Sequence, residues 1–165
     1  TLESKLLYHS RSGNWRKALQ LLDHLVEAGH GSSTKAHNNA AAACLRAGEH
    51  TRALHLLVTL RERGGTWDAH SFSTAVAAHG KVGQWREALD MLGEMESSAH
   101  HPAPNEFVYG AAIGACAASA RWEDALRLLE EMAERGLPPT TRCFNGALAA
   151  CDRAGQPEAA LSLLQ

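Results

Sequence analysis

The sequence contains no long apolar run. Hydrophobic residues make up 45% of its 165 positions, but no run approaches the roughly 20 residues that an α-helix needs to cross a bilayer. We therefore expect neither a membrane span, nor a membrane partner, nor a signal peptide. Because the chain starts at Thr1 without a methionine and stops at Gln165, we expect a soluble fragment whose targeting segment and further repeats lie elsewhere.

Aromatic and β-branched residues are also scarce. Aromatic residues account for only 5% of the chain, whereas alanine and leucine are abundant. Alanine and leucine have high helix propensity, and small side chains allow helices to pack closely. This composition predicts an all-helical protein without a sheet.

Motifs for metal binding and catalysis are missing. None of the four cysteines stands in a Cys-x-x-Cys pair, and the ten histidines include no His-Glu-x-x-His motif. The sequence also lacks a glycine-rich phosphate loop and a Ser-His-Asp spacing. We therefore expect no metal, no cofactor, no small-molecule substrate and no enzymatic activity.

The sequence does contain a repeat. The pair Ala-Leu recurs with offsets of 35, 35, 37 and 35 residues, beginning at Ala18, Ala53, Ala88, Ala125 and Ala160. A glycine stands five residues before four of these alanines, and a tryptophan stands three residues before three of them. These residues are Gly13, Gly48, Gly83 and Gly155, and Trp15, Trp85 and Trp122. A period of this length indicates stacked helical repeats.

Each repeat predicts two helices. The first helices cover residues 1–11, 34–46, 69–81, 106–118 and 141–153, and the second helices begin near residues 15, 50, 85, 122 and 157. The chain is thus predicted to be a single array, a right-handed α-solenoid of about five stacked helix-turn-helix repeats. The repeats span 1–33, 34–68, 69–105, 106–140 and an incomplete 141–165. Cys44, Cys116 and Cys151 share one position on the first helices, so they are predicted to be packing residues, as is Cys143.

The repeats resemble the pentatricopeptide repeat over essentially the whole chain. The resemblance rests on the five-fold register of motifs such as Phe107-Val108-Tyr109, Glu131-Met132 and Gly136-Leu137-Pro138-Pro139, and on Cys143-Phe144-Asn145 followed by Arg153-Ala154-Gly155. The alternative is the tetratricopeptide repeat, a helix pair of about 34 residues. Its Trp-x-x-Leu-Gly-x-x-Tyr first helix is missing, and the 35-residue step fits the pentatricopeptide repeat better.

The resemblance implies recognition of single-stranded RNA at one base per repeat, by two or three side chains. In the family, one base-reading residue follows the aromatic residue of the first helix and the other ends the repeat. The implied pairs are Asn38 with Asp68, associated with uracil; Ser73 with Asn105, associated with adenine; and Gly110 with Thr140, where glycine brings no side chain to a base. Glu3 with Ser33 departs from the pattern, and Asn145 lacks its partner within the sequence.

The family also places a small aliphatic residue three positions before the first base-reading residue, where it sandwiches bases. The residues at these base-flanking positions are Lys35, His70, Phe107 and Arg142. Only Phe107 is apolar, while the stems of Lys35 and Arg142 can lie along a base or reach a phosphate. These departures leave contact with RNA shape or with protein open as alternatives to strict base reading.

Charge is unevenly distributed although the formal net charge is only −2. The first helices are basic and the remaining segments are acidic. Arg11, Arg46, Lys81 and Arg153 hold one repeat position, where the fourth repeat has Ala118, and the resemblance implies that they bind RNA phosphates. The alternative is that these cations are simply favoured at helix C-termini by the helix dipole. The three repeated tryptophans begin second helices, so we expect them to pack between helices rather than stack on bases.

Two functions follow from the resemblance. The first is sequence-selective binding of single-stranded RNA in a mitochondrion or chloroplast, for transcript stability, processing or translation. The alternative is a helical-repeat scaffold subunit that makes RNA-shape and protein contacts in an organellar ribosome or similar ribonucleoprotein. The pairs Gly110 with Thr140 and Glu3 with Ser33 favour this alternative, because they match the base-reading pattern poorly.

Overall fold

A computed structural model describes residues 1–31 and 33–164, whose regular structure is entirely helical. The helices are α1 (Leu2–Arg11), α2 (Trp15–Leu25), α3 (Thr34–Arg46), α4 (His50–Glu62), α5 (Ala69–Lys81), α6 (Trp85–Ser97), α7 (Glu106–Ala118), α8 (Trp122–Glu134), α9 (Thr141–Arg153) and α10 (Pro157–Ser162). The segment Val26–His30 follows α2 and is kinked at Gly29, where φ is 90°. The predicted first helices and the predicted starts of the second helices are confirmed. Ser32 and Gln165, which belong to the predicted first and fifth repeats, lie outside the described residues.

The chain forms two compact units, Thr1–Ala78 and a second that begins at His79, with the boundary inside α5. In the first unit α1 packs against α2 and α3, and α3 packs against α4. Leu6, Leu22 and Leu25 lie in one cluster with Ala18 and with the α3 alanines 36, 40 and 43. Leucines of α1 and α2 therefore fill the space above an alanine face of α3. Burial of each leucine contributes about 1.5–3 kcal/mol.

In the second unit α7 packs against α6, α8 and α9, and α9 packs against α8 and α10. A Cβ added to Gly146 would lie 2.9 Å from Cγ2 of Ile113, and a Cβ added to Gly80 would lie 2.6 Å from Cβ of Ala115. The first helices thus approach one another through small residues. This close approach explains why first helices are rich in alanine and glycine.

The alanines of the first four Ala-Leu pairs are completely buried, namely Ala18, Ala53, Ala88 and Ala125. Their leucine partners are half-buried. The Ala-Leu pairs, which are the most regular feature of the repeat, therefore pack the second helices. The first base-reading residue predicted for each repeat lies instead on a first helix.

The four cysteines are buried and unpaired, which confirms the prediction that they are packing residues. Burial raises the pKa of Cys44 to about 11 and that of Cys116 to about 12. Both thiols are therefore protonated and unreactive at neutral pH. Within residues 1–31 and 33–164, no group of three or more His, Cys, Asp or Glu residues is arranged to hold a metal ion. None of the helices in that part of the chain is long and apolar enough to span a bilayer.

The turn between the two helices of a repeat requires a positive φ. Gly13, Gly48, Gly83 and Gly155 have φ between 66° and 83°, and Ala120 takes the same place in the fourth repeat with φ 53°. Left-handed backbone costs an alanine about 1–2 kcal/mol. The glycine pattern of the other four repeats therefore marks a conformation that the turn of the fourth repeat adopts without glycine.

Replacing Ala120 with glycine is expected to stabilise the second unit by roughly 0.5–1 kcal/mol, because relief of the left-handed strain exceeds the extra freedom of glycine in the unfolded chain. Gly83→Ala is the matched reverse change. A Cβ at Gly83 meets no atom within 4 Å, so this variant tests backbone strain alone. The measurement is thermal unfolding followed by circular dichroism. The melting temperature should rise by a few degrees for Ala120→Gly and fall for Gly83→Ala. Shifts of the same sign would contradict the explanation.

Candidate nucleic-acid interface

The residues predicted to end the repeats are helix caps. Side-chain oxygens of Ser33, Asn105 and Thr140 accept hydrogen bonds from backbone N–H groups in the first turns of α3, α7 and α9. Asp68 Oδ1 accepts from the backbone N–H of Ser71 at 2.9 Å, in the first turn of α5. Capping favours Ser, Thr, Asp and Asn whatever the ligand. Local helix chemistry therefore already restricts the second base-reading position to polar residues.

The positions predicted to hold the first base-reading residue of each repeat differ in exposure. In the first unit Asn38 is only 2% exposed, while Ser73 is half-buried and Glu3 is exposed. In the second unit Gly110 is buried and Asn145 is exposed. The single repeat position thus provides an accessible side chain in some repeats and almost none in others.

Asn38 and Asp68 are hydrogen-bonded to each other. Asn38 Nδ2 donates to Asp68 Oδ1 at 2.9 Å, and the Ser71 hydroxyl lies 2.8 Å from Asn38 Oδ1 and 3.1 Å from Asp68 Oδ1. Burial acts to raise the pKa of Asp68, but the hydrogen bonds from Ser71 and Asn38 outweigh it and lower the pKa below its ordinary value. Asp68 is therefore a carboxylate at neutral pH, held in one orientation.

The four base-flanking side chains, Lys35, His70, Phe107 and Arg142, are all exposed. Phe107 stands out because it is an apolar ring with 63% of its surface exposed. Lys35 Nζ lies 3.9 Å from Glu3 Oε2, a separation at which an exposed ion pair stabilises a protein very little. Each unit thus exposes two of these side chains on successive first helices, as contacts to successive nucleotides of a flexible chain require.

The basic residues at the ends of the first helices are exposed, but two of them also bind the preceding repeat. Arg46 Nη1 donates to the Ser10 carbonyl at 2.7 Å, and Arg153 Nη1 donates to the Ala118 carbonyl at 3.3 Å. These carbonyls lie at the C-terminal ends of α1 and α7, where the helix dipole favours a cation. The alternative interpretation, that the helix dipole favours cations at helix C-termini, thus accounts for part of the contacts of Arg46 and Arg153. Within the described part of the chain Lys81 forms no ion pair, so its charge faces solvent.

Comparison with known proteins places this geometry in a family. The model of the family described as "Pentatricopeptide repeat-containing protein" matches residues 38–163, and the model described as "PPR repeat" matches residues 9–30. The chain is a pentatricopeptide repeat protein. A search of curated proteins found no match.

Solved structures of pentatricopeptide repeat proteins have the same fold. PPR10 from maize is 30% identical with a TM-score of 0.71, over 99% of this chain and 23% of PPR10. PPR10 in complex with an 18-nt psaJ RNA element is 25% identical with a TM-score of 0.74, over 99% of this chain and 24% of that one. The PPR domain of Arabidopsis thaliana protein-only RNase P 1, in complex with tRNA, is 18% identical with a TM-score of 0.81, over 99% of this chain and 86% of that domain. At 18% identity the similarity shows the fold alone. The α-solenoid prediction is confirmed, and the chain spans about a quarter of the length of PPR10.

Two of the three repeated tryptophans of this pentatricopeptide repeat protein pack against arginines. Trp15 of α2 lies under Arg52 of α4, with 4.4 Å from the guanidinium carbon to the ring centroid. Trp85 of α6 lies under Arg121, which directly precedes α8, at 4.5 Å. For these two residues the prediction of packing between helices is confirmed. The contacts join successive second helices within each unit.

Sequence reasoning missed the hydrogen bonds of two aromatic residues that lie next to predicted base-reading residues in the chain. Trp67 is nearly buried and donates from Nε1 to the Leu57 carbonyl at 2.9 Å, which fixes the segment directly before Asp68. Tyr109 is fully buried and donates to Glu96 Oε1 at 2.7 Å; burial, together with Glu96, raises the pKa of Tyr109. An aromatic residue within a Gly-Gly-Thr turn is the sequence signal that would have found Trp67. The Tyr109 partner lies on another helix, so no local signal reveals it.

Proposed function

We propose that this chain binds single-stranded RNA along its first helices, one nucleotide per repeat, without catalysis of its own. The observation that carries the proposal is the exposure of the base-flanking side chain in each of four repeats, two repeats in each unit, in the fold shared with PPR10. We further propose a role in transcript stability, processing or translation in a mitochondrion or chloroplast, as the family resemblance implies.

Stacking is the first component of the proposed binding. Neighbouring packed helices lie about 8–10 Å apart, and stacked bases are about 3.4 Å thick. A base therefore fits between base-flanking side chains of successive first helices, such as Lys35 and His70 in the first unit or Phe107 and Arg142 in the second. Every base has a π face, so this component does not depend on sequence.

Base reading is the second component, and it is uneven along the chain. Asn38 with Asp68 forms an ordered pair whose exposed member is the Asp68 carboxylate, and we propose that it selects uracil. Gly110 has no side chain, and the Thr140 hydroxyl is engaged with the Cys143 backbone N–H. The fourth repeat is therefore expected to accept any base by stacking. A partly selective RNA footprint follows, with one strongly selective position and at least one indifferent position.

Phosphate binding is the third component, and Lys81 provides its sharpest test. Lys81→Glu should weaken RNA binding for all sequences, and each lost phosphate contact should reduce the slope of log affinity against log salt by about 0.7. Lys17→Glu, the same charge change on the exposed face of α2, is the control and should leave the slope unchanged. The measurement is fluorescence anisotropy of labelled single-stranded RNAs at several salt concentrations.

Arg46→Glu is a less specific probe than Lys81→Glu, because it also removes the bond to the Ser10 carbonyl. Salt-independent or undetectable RNA binding by the wild-type chain would reject the RNA-binding proposal. Equal effects of Lys81→Glu and Lys17→Glu would instead reject the assignment of the phosphate contacts to the first helices.

A scaffold subunit in an organellar ribosome or similar ribonucleoprotein is the second candidate function. Two observations favour it: Asn38 is 2% exposed, and two of the basic residues bind carbonyls of the chain itself. A scaffold is expected to bind RNAs without distinguishing the base at any position. Binding to a randomised single-stranded RNA pool followed by sequencing separates the two functions, because only base reading enriches particular bases at fixed positions.

A further inference from the structure

Ser71 has a buried hydroxyl that packing does not require. It is 0% exposed and lies in the first turn of α5. The equivalent residues of other repeats are Ala36, Val108 and Cys143, all buried. Because alanine fills this position in the second repeat, a serine here serves something other than volume.

The hydroxyl joins both members of the Asn38 and Asp68 pair. It lies 2.8 Å from Asn38 Oδ1 as a donor, and it accepts from the backbone N–H of Asp68 at 3.2 Å. The Asn38 amide is therefore bonded at both ends, with Nδ2 on Asp68 Oδ1 and Oδ1 on Ser71. A flipped amide would place two oxygens together at Asp68, so the network allows one orientation only.

The same network decides which atom of the pair reaches solvent. Asp68 Oδ1 is occupied by Asn38 and by Ser71, whereas Asp68 Oδ2 has no hydrogen bond within residues 1–31 and 33–164. Asp68 is exposed, while Asn38 lies behind it at 2% exposure. An RNA base would thus meet Asp68 first, in an orientation that Asn38 and Ser71 impose.

We propose that Ser71 is a positioning residue for base selection: its hydroxyl holds Asn38 and Asp68 in the orientation that discriminates between bases at the second repeat. This inference rests on the proposed RNA-binding function. It adds to the base-reading pair of the second repeat a residue from α5, the first helix of the third repeat. Repeats that carry Ala36, Val108 or Cys143 at this position have no such hydroxyl to hold the preceding pair.

The test uses single-stranded RNAs selected from a random pool by the wild-type chain, then varied one base at a time. Ser71→Ala is expected to reduce discrimination at one nucleotide position by about tenfold, within the range of a hydrogen-bonded side-chain pair on a base edge. Discrimination at the other positions should not change. Ser71→Thr retains the hydroxyl, and the equivalent position of another repeat holds the β-branched Val108, so we expect this variant to restore discrimination.

Thr74→Ala is the control for loss of a buried hydroxyl, because Thr74 is 3% exposed, lies one turn further along α5 and bonds to neither Asn38 nor Asp68 in the described structure. It should leave discrimination unchanged.

Ser71→Ala with unaltered discrimination at every position would overturn the inference, as would an equal loss at all positions accompanied by a lower melting temperature. A wild-type chain that binds no RNA overturns the proposed function and this inference together. A wild-type chain that discriminates while Ser71→Ala does so equally well overturns only the inference.

Discussion

Ala88→Arg is expected to unfold the unit that begins at His79. Ala88 is 0% exposed on α6, and Leu92 and Met95 lie buried on the same helix at 3% and 2%. Arginine at this position places an unpaired charge and a long side chain where only a methyl group fits. Changes of this kind give the largest losses seen for single substitutions, about 4 kcal/mol or more. The total free energy of unfolding of a native protein is only about 5–15 kcal/mol, so a loss of this size is enough to unfold the unit.

Circular dichroism provides the measurement for Ala88→Arg. We expect a melting temperature at least about 15 °C lower than the wild type, at about 4–8 °C per kcal/mol for a domain of this size, or a loss of helical signal at 25 °C. Glu87→Arg, on the exposed face of the same helix, is the matched control and should change stability by less than about 0.5 kcal/mol. Unchanged helicity and melting for Ala88→Arg would show that Ala88 is not a packing contact.

Phe107→Ala is expected to weaken binding of every single-stranded RNA that covers the fourth repeat. Loss of one base-aromatic stack costs about 1–3 kcal/mol, which corresponds to roughly 5- to 150-fold in affinity. Because 63% of Phe107 is exposed, removal of the ring should leave the melting temperature almost unchanged. The loss should be similar for all four bases, since Gly110 reads none of them.

Tyr8→Ala is the control for Phe107→Ala. Tyr8 is also an exposed aromatic residue on a first helix, at 69%, but it does not occupy a base-flanking position. Anisotropy titrations should show wild-type affinity for Tyr8→Ala at all salt concentrations. Equal losses for the two variants would indicate that exposed rings bind RNA without regard to register, and no loss for Phe107→Ala would remove stacking from the proposed mechanism.

The helices could be predicted from sequence because their signals are local. Glycine five residues before four of the five Ala-Leu pairs, together with apolar residues at helical spacing, predicts the starts of the second helices. Asp68, Asn105 and Thr140 mark the starts of first helices because capping needs their side-chain oxygens. The same locality limits what these residues reveal about RNA, since a capping residue would be polar without any ligand.

The exposure and the hydrogen bonds of the candidate-site side chains could not be predicted from the sequence to the same degree. Asn38 sits at a repeat position that is exposed in Asn145, yet it is buried and hydrogen-bonded to Asp68 and Ser71. The family resemblance implies that Arg46 binds phosphate, but its bond to the Ser10 carbonyl depends on the packing of α1 against α3. The bonds of Asn38 to Ser71 and of Arg46 to Ser10 join residues 33 and 36 positions apart in different repeats, so no pattern within one repeat contains them.

The sequence by itself determined the repeat, the helix boundaries and the family, because period, propensity and capping are properties of neighbouring residues. Only the tertiary structure decided which side chains at the repeated positions face solvent and which bind one another. Ser71 illustrates the difference: in the sequence it is one small residue among equivalents, and only packing brings its hydroxyl onto Asn38. Hydrogen bonds between repeats depend on distances that stacking sets, and these distances are not encoded in any single repeat.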